Sequence, residues 1–574
     1  MVEPRDVEAS MSRPPTGASV EGLERRRNGP AYRVLAELRS ARADHGRITP
    51  DDERAIAART GLPVAVVHGA ARYYTDLRGT QGERHVRLCG GTACFVASQG
   101  GRHIPEVERV LGVRAGTCAP DGSVSLQVVH CLGYCYTGPA ALDGDEPRAG
   151  ADLADQLAGL SSPRAPEPSV RAATAPVVLR GIQGDEGAWE VWRALVADDR
   201  SPRRVLEEVE TAGLRGRGGA GFPAAAKWRA LSAAGPAGPR YVVANGDEGD
   251  PGSYADRILM ERDPSGLLEG LAFAALACGA TTGFVYVRSE YPRAYESVAA
   301  AVAAAYAQGH LGRDVHGSGV DLDLDVVMGA GSYVAGEETS LLHSLAGLRA
   351  TVRPRPPYPV EYGLLGRPTA VNNVETLSSV PAVVRAGGAA YAARGVPPET
   401  GTLVVCLNER FVRPGAYEVE LGTPLRDIVF GLGGGLPRGR RLRAIQVGGP
   451  LGGFLAPDQL DLPLLDSALT AAGAMLGHGS LLAVDDQVDP DDLLRHLWEF
   501  GASESCGTCT PCREGTRLGE RQPGAAARDD ALLDVMETAS LCPFGRRIPG
   551  AVRSLVRVMG AGRSGPGPGG DSPR

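Results

Sequence analysis

Eight of the chain's 11 cysteines fall into two sets, and whatever fold forms must bring each set together. In "SESCGTCTPCREG", Cys506, Cys509 and Cys512 stand at every third position beside Gly507 and Pro511. Thiolates select iron or zinc over oxygen-seeking cations. Structural zinc sites pair two C-x-x-C knuckles, or one knuckle with His. Three cysteines in C-x2-C-x2-C with one distant cysteine match instead the grip on a [4Fe-4S] cluster. Cys542, in "SLCPFG", is the only cysteine further along. Zinc and inert buried thiols are the alternatives. At the front, Cys89 and Cys94 (C-x4-C) and Cys131 and Cys135 (C-x3-C) form two pairs, each where a strand runs into a loop. Two thiolates per iron suit a [2Fe-2S] cluster, with a four-cysteine zinc site as the alternative. Cys118, Cys278 and Cys406 read as small apolar fillers.

At 574 residues the chain exceeds one hydrophobic core, and about three or four units are expected. A net charge of -8 gives no general pull toward nucleic acid or anionic lipid. No apolar run reaches the roughly 18 residues of a membrane helix, and the N-terminus lacks the apolar core of a secretory signal. The expectation is a soluble, cytoplasmic protein whose cysteines bind metal rather than form disulfides. Residues 1–27 and 562–574 have no periodicity and are expected to be disordered. Residues 28–145 show three short helical patterns, the second opened by the cap candidate Thr49 and Pro50, followed by the strands "HVRLCGG" and "VSLQVVHCLGYC". "LSSPRAPEPSVRAATAP" marks a linker over 146–179. Residues 180–400 alternate strand and helix, which argues for a parallel or mixed sheet covered by helices. Residues 401–485 read as a small β-rich unit, and 486–561 as helical around the second cysteine set.

"GLRGRGGAGFP" (213–223) holds a formal G-x-G-x-x-G at Gly216, Gly218 and Gly221. A Rossmann site needs a strand before that motif, whereas "PRRVLEEVETAGL" has helical spacing. What remains is a Gly-dense loop whose N–H groups can approach a phosphate or ring, with Arg215, Arg217 and Lys227 adding charge. A plain structural loop is the equal alternative. Strand "YVVAN" runs into "GDEGDPG", which gathers Asn245, Asp247, Glu248 and Asp250. Strand "LDVVM" runs into "GAGSYVAGEE", where Glu337 and Glu338 open a helix. Ligands of open α/β sheets sit beyond the carboxyl ends of the strands, so these loops are expected to face one pocket. Acidic groups there would hydrogen-bond ribose or ribityl hydroxyls, the alternative being solvated turn carboxylates. No Ser-His-Asp set or Cys–His pair stands out, so no protein nucleophile or general acid is expected.

"GLRGRGGAGFPAAAKW", "NGDEGDPGSYADR", "GAGSYVAGEETSLLHSLAG", "RPRPPYP", "GRPTAVNNVET" and "ESCGTCTPCREG", in that order over about 180 to 560, resemble the NADH-binding flavoprotein subunit of respiratory complex I and its relatives in soluble NAD-linked formate dehydrogenases and hydrogenases. Residues 28–145 resemble the family's thioredoxin-like [2Fe-2S] subunit, here fused in front. The resemblance implies an α/β multidomain chain: a thioredoxin-like ferredoxin domain, an FMN- and NADH-binding α/β domain at 180–400, a β-grasp domain at 401–485, and a helical [4Fe-4S] domain at 486–561. It implies FMN, NAD(H), [4Fe-4S] and [2Fe-2S] as cofactors, with the eight cysteines above as iron ligands. FMN contacts would fall on Gly216, Arg217, Gly218, Lys227, Asn245, Asp247, Gly336, Glu337, Glu338, Asn372 and Asn373. NADH would stack on the flavin between Phe222 and Tyr358. Asp250 stands where complex I commonly has Glu, and Arg355 where Lys is frequent. The 29 residues between Cys512 and Cys542 are fewer than usual in the family, by about one helical arm.

The implied function is that of a diaphorase subunit, a NADH dehydrogenase or NAD+ reductase. Hydride carries two electrons and a cluster takes one, so a flavin stands between them. The fused layout and "DEGDPG" point to the beta subunit of a soluble NAD-dependent formate dehydrogenase, partnered by a molybdenum catalytic subunit. The alternatives are the diaphorase of an NAD-linked hydrogenase and a complex I subunit. A non-catalytic assembly subunit with zinc-filled cysteines is the alternative of another class.

Overall fold

Alternation along two central strands decides the layering. In β7 (Tyr241–Gly246), Tyr241 and Val243 enter one apolar cluster while Val242 and Ala244 enter another. In β8 (Thr282–Val287), Phe284 and Tyr286 part from Val285 and Val287 in the same way. Side chains of a strand point alternately to its two faces, so a sheet with both sets apolar must be covered on both sides. The computed structural model describes residues 30–184, 187–198, 201–234 and 238–562. Of the two termini expected to be disordered, only residue 562 falls among them.

The first helices, Pro30–His45, Pro50–Thr60 and Val64–Tyr73, form where the sequence places them. Thr49 and Asp52 make a reciprocal capping box, with Asp52 N 3.2 Å from Thr49 Oγ1 and Thr49 N 2.9 Å from Asp52 Oδ2. Their apolar stripe, including Val34, Leu38, Ile56 and Val67, lies against Tyr241, Val243, Phe284 and Tyr286. The leading helices, which the sequence groups with the front cysteines, therefore pack as a layer on the central sheet. Arg39 and Tyr73 fasten this layer, donating to Gly329 O at 2.6 Å and Ala350 O at 2.5 Å.

The front cysteines belong to a five-stranded sheet of β1 (Arg84–Cys89), β2 (Thr117–Cys118), β3 (Val124–Val129), β4 (Ala140–Asp143) and β5 (Glu146–Ala149), in the order β2-β3-β1-β4-β5. Strands β1 and β3 are parallel, Arg84 opposite Val124, and β1 and β4 antiparallel. The stretch read as a linker over 146–179 is ordered at both ends. It begins with β5 and the helix Leu153–Leu157, and it continues as β6 (Ser169–Ala172), which pairs in parallel with a strand of the later β unit, Ser169 opposite Gly415. The physical reason is Glu418, fully buried, whose carboxylate accepts from the N–H groups of Val177, Val178 and Leu179 at 2.9 to 3.1 Å and from Thr402 Oγ1 at 2.7 Å. A Pro-rich composition does not reveal a distant buried acceptor.

The central sheet adds β9 (Asp323–Met328) and β10 (Thr369–Asn373) in the order β10-β7-β8-β9, all parallel. Its second face carries the helices Pro264–Cys278 and Val374–Ala386, which approach so closely that a Cβ on Gly270 would stand 2.0 Å from Leu377 O. A short ribbon, β11 (Gly395–Val396) and β12 (Glu399–Thr400), leads into the β unit. There β13 (Thr402–Leu407), β14 (Gly415–Glu420), β15 (Leu442–Val447), β16 (Gly453–Leu455) and β17 (Ser480–Asp485) join β6 in one sheet, ordered β16-β15-β17-β13-β14-β6. Four long helices follow: Pro490–Glu504, Thr510–Arg521, Asp530–Ala539 and Pro543–Met559. The first reaches back to the front cysteine unit, where the rings of His496 and Phe95 stack at 4.3 Å. Among the described residues no helix is long and apolar enough to cross a membrane.

Replacing Glu418 by Ala strands three buried N–H groups, and we expect a loss of at least about 2 kcal/mol. Urea unfolding, together with new protease cleavage within 160–179, checks this.

Candidate functional site

The carboxyl ends of the four parallel strands converge, as open α/β sheets require. β7 delivers Asn245 and the acidic loop 247–254, β9 the loop to Gly336, and β10 Asn372 and Asn373. Asn245 Nδ2 donates to Gly336 O at 2.9 Å, and Asp247 N to Asn245 Oδ1 at 3.1 Å. A Cβ on Gly336 would lie 3.0 Å from Asp247 O, a tight approach that favours glycine. The Gly loop closes the cradle from above the sheet: Gly216 N donates to Phe222 O at 2.9 Å, and a Cβ on Gly218 would stand 2.9 Å from that of Asn373.

The structure separates the predicted residues by role. Arg217 is buried with its guanidinium on Tyr391 Oη at 3.0 Å and Thr400 O at 2.9 Å, so the side chain anchors the loop while its backbone remains with the glycines. Glu337 caps the helix Glu338–Leu345, accepting from Thr339 N at 2.9 Å and Ser340 N at 3.1 Å. Burial raises its carboxyl above the usual range against those bonds. Glu338 is shared by Lys227 Nζ at 3.3 Å and Arg355 Nη1 at 2.5 Å. Lys227 also donates to Val371 O at 2.7 Å, and it is the chain's only lysine among 60 basic residues. Asn372 accepts from Trp228 Nε1 at 3.0 Å, and Asn373 caps the helix Val374–Ala386 and donates to Asp256 at 2.6 Å. Phe222 and Tyr358 stand more than half exposed, as open aromatic surfaces on two loops of the cradle.

The cradle fits a flavin nucleotide on the chemistry of one atom. Asp247 Oδ2 is buried without a hydrogen-bond partner, and burial pushes this carboxyl well above the usual range. A buried acceptor lacking a donor is costly, and a polyhydroxylated chain laid along the loop supplies one.

The acidic loop touches the front cysteine set and is linked through Tyr333 to the residues beside the second. Gly252 N donates to Cys135 Sγ at 3.3 Å, and a Cβ on Gly91 would meet Pro251 at 3.1 Å. Cys89, Cys94, Cys131 and Cys135 are all buried, with Cys131 and Cys135 sulfurs 3.6 Å apart and Gly133 N 3.4 Å from Cys131 Sγ. On the other side, Asp250 accepts from Tyr333 Oη at 2.5 Å, and the Tyr333 ring packs on Phe500 at 5.1 Å and Phe544 at 5.6 Å. Phe544 follows Cys542 by two residues. Cys509 and Cys542 are N-caps of the helices Thr510–Arg521 and Pro543–Met559, where the helix dipole favours thiolates. A Cβ on Gly545 would stand 2.7 Å from that of Cys512, which brings the two helix starts together. Burial pushes the Cys512 and Cys542 thiols up to about 12, with the other cysteines of the set adding to it. Such groups ionise when a metal supplies the countercharge. Among the described residues no three His, Cys, Asp or Glu side chains converge on one ion, while cluster ligands bind separate irons and need not converge.

Sequence reasoning missed His478, Tyr333, Arg288 and Trp228. Arg288 spans the two sides, donating to Glu248 O and, at 3.0 Å, to His130 O beside Cys131. Tyr333 and Trp228 lie inside the quoted motifs but carry no chemistry by type and spacing, while Arg288 and His478 lie outside them, and all four acquire their roles only through the fold.

Comparison with known proteins agrees with this layout. The model of the Nuo51 FMN-binding domain matches residues 209–382, that of the thioredoxin-like [2Fe-2S] ferredoxin 21–152, and that of the NADH-ubiquinone oxidoreductase-F iron-sulfur binding region 492–560. An F-type chain of the NADH-quinone oxidoreductase of Rhizobium meliloti (strain 1021) is 42% identical over 352 residues, 59% of this chain and 83% of that one. NADP-reducing hydrogenase subunit HndC of Solidesulfovibrio fructosivorans is 37% identical over 366 residues, 62% of this chain and 74% of that one. A crystal structure of NAD+-reducing [NiFe]-hydrogenase in the H2-reduced state superposes with a TM-score of 0.81 at 31% identity, covering 93% of this chain and 92% of that chain.

Lys227→Arg keeps the charge but replaces a compact ammonium by a planar fork, and we expect about tenfold weaker FMN binding with little change in melting temperature, read by fluorescence titration of deflavinated protein. Cys542→Ser is expected to remove the [4Fe-4S] signal in electron paramagnetic resonance while leaving the [2Fe-2S] signal.

Proposed function

This chain belongs to the family of F-type chains of NADH-quinone oxidoreductase, and from that premise we propose that it is the diaphorase subunit of a soluble NAD-linked complex in the cytoplasm, exchanging electrons between NAD(H) and a partner subunit. The carrying observation is that one loop, 247–254, lines the flavin cradle, contacts the front cysteine set through Gly252 on Cys135, and is linked through Asp250 and Tyr333 to Phe544, two residues beyond Cys542.

FMN supplies the conversion between hydride and single electrons, and the clusters supply the one-electron path. The residues of this chain bind and orient. Gly216 and Gly218 admit the flavin close to the backbone, and Lys227 provides a point charge for its phosphate. Asn245, Asp247, Gly336, Glu337, Glu338, Asn372 and Asn373 line the remaining walls. Phe222 and Tyr358, being exposed, offer apolar faces to the nicotinamide or adenine, and Arg355 and Asp250 frame the entry. Cys506, Cys509, Cys512 and Cys542 are the ligands of the [4Fe-4S] cluster, and Cys89, Cys94, Cys131 and Cys135 those of the [2Fe-2S] cluster.

A soluble assembly is supported by the match to a hydrogenase chain over nearly the whole length of both, thioredoxin-like part included. That observation and the HndC relative favour a hydrogenase as the partner. A molybdenum formate dehydrogenase is the second reading, resting on the fused layout and the "DEGDPG" loop.

Anaerobic titration of the iron-loaded protein with NADH should bleach a flavin band and develop two distinguishable cluster signals; a colourless zinc protein would refute the proposal. The native complex, isolated through this chain, should contain nickel if the hydrogenase reading holds and molybdenum if the formate reading does.

A further inference from the structure

His478 enters the cradle from the β unit, on the loop between the helix Asp466–Ala471 and β17. Its neighbours Gly477 and Gly479 take φ of 57° and 72°, a turn that carries the ring inward. Nδ1 lies 2.8 Å from Asp250 Oδ2, and the second oxygen of Asp250 accepts from Tyr333, so the ring's orientation is fixed with the proton on Nδ1. Nε2 faces the Gly loop, 3.5 Å from where a Cβ on Gly218 would stand. The ring side chain is 19% exposed. Five carboxyl groups face it: Asp250, Asp256 and Glu248 of the acidic loop and the helix after it, Asp247 at the loop's start, and Glu375 at the helix beyond β10, burial pushing Asp247 and Asp256 well above the usual range and Glu375 up to about 8. Of the other cations around the cradle, Lys227 and Arg355 are paired with Glu338 and Arg288 with Glu290, so none of these three is paired with the carboxyl groups that face His478. Burial by itself would lower the imidazole's pKa; the hydrogen bond and charge of Asp250, with Asp256 and Glu248, outweigh it and raise the group to about 9.

We propose that His478 is a charge-compensating, positioning residue of the flavin site: an imidazolium clamped by Asp250 that offsets the surrounding acidic groups and so sets how readily the bound flavin takes on negative charge. The inference rests on the flavin reading above. NADH leaves as NAD+ after giving up a hydride, two electrons with one proton, so the acceptor gains one negative charge. A cation at the Gly loop favours that state; a neutral ring among acidic groups opposes it.

Linkage fixes the sign. A His pKa raised on folding adds stability that is complete below the unfolded value near about 6.5 and is lost as pH rises through about 9. The flavin potential should follow the same window.

Spectroelectrochemical titration of the full-length, flavin-loaded protein between about pH 7 and 10 tests this. The wild-type flavin potential should turn more negative through about pH 9, beyond the slope set by flavin protonation. His478→Asn keeps a neutral donor to Asp250 but no charge. Its potential should be more negative already at pH 7, without that break, and its FMN affinity about tenfold lower. His478→Lys should restore much of the wild-type potential. An unchanged potential and break in His478→Asn would overturn the inference while leaving the flavin site standing. Should both variants fail to fold, the wild-type curve decides, and the lack of any break near pH 9 overturns it. A wild-type chain that binds no FMN sinks the flavin reading and this inference with it.

Discussion

Glu248 is the fixed point of the molecule. It is 1% exposed, and its carboxylate accepts from Ser253 Oγ at 2.6 Å, from Asp256 N and Arg257 N at 3.1 Å, and from Tyr291 Oη at 3.3 Å. Hydrogen bonds to an ionised acceptor are the strong ones, and in a buried setting they are little screened. Three of them fold the acidic loop back on the first turn of the helix Ala255–Arg262, and the fourth ties it to Tyr291. The loop's remaining groups then point outward in fixed directions: Asp247 to the cradle, Asp250 to Tyr333 and His478, and the Gly252 N–H to the front cysteines.

Several of the acids in this site are held by a cationic counterpart. Glu338 has Lys227 and Arg355, Glu290 has Arg288, and Asp250 has His478. Breaking one member of such a pair leaves an uncompensated buried charge, which is far worse than never having had the pair. Asp247 instead keeps an unpartnered oxygen in the cradle. A buried acceptor without a donor, aimed into the cradle, marks where a ligand completes the structure.

The front unit is bound to the rest by more than its tether. The leading helices roof one face of the central sheet, β6 extends the β unit's sheet by an edge strand, and Phe95 stacks on His496 of the cluster-bearing helices. Arg288 adds a polar link, with its guanidinium between His130 O and Glu248 O. The distances between the two cysteine sets and the cradle are thus set by packing, which is stiff, rather than by linker length.

Local pattern made much of this legible in advance. Capping at Thr49, strand and helix alternation across 241–386, and cysteine spacing depend on neighbours a few residues away, and they named the strands, the loops at their carboxyl ends and both cysteine sets. Gly218 and Gly336 were visible as glycines, but the close approaches that favour them, to Asn373 and Asp247, were not. Tertiary structure alone decided that the leading helices pack on the central sheet, that the Pro-rich stretch is caught by Glu418, that the Arg217 side chain anchors rather than contacts, and that His478 reaches Asp250 across 228 residues. Each of these depends on a partner far away in the chain, and sequence spacing carries no record of a contact made only when two separate surfaces close.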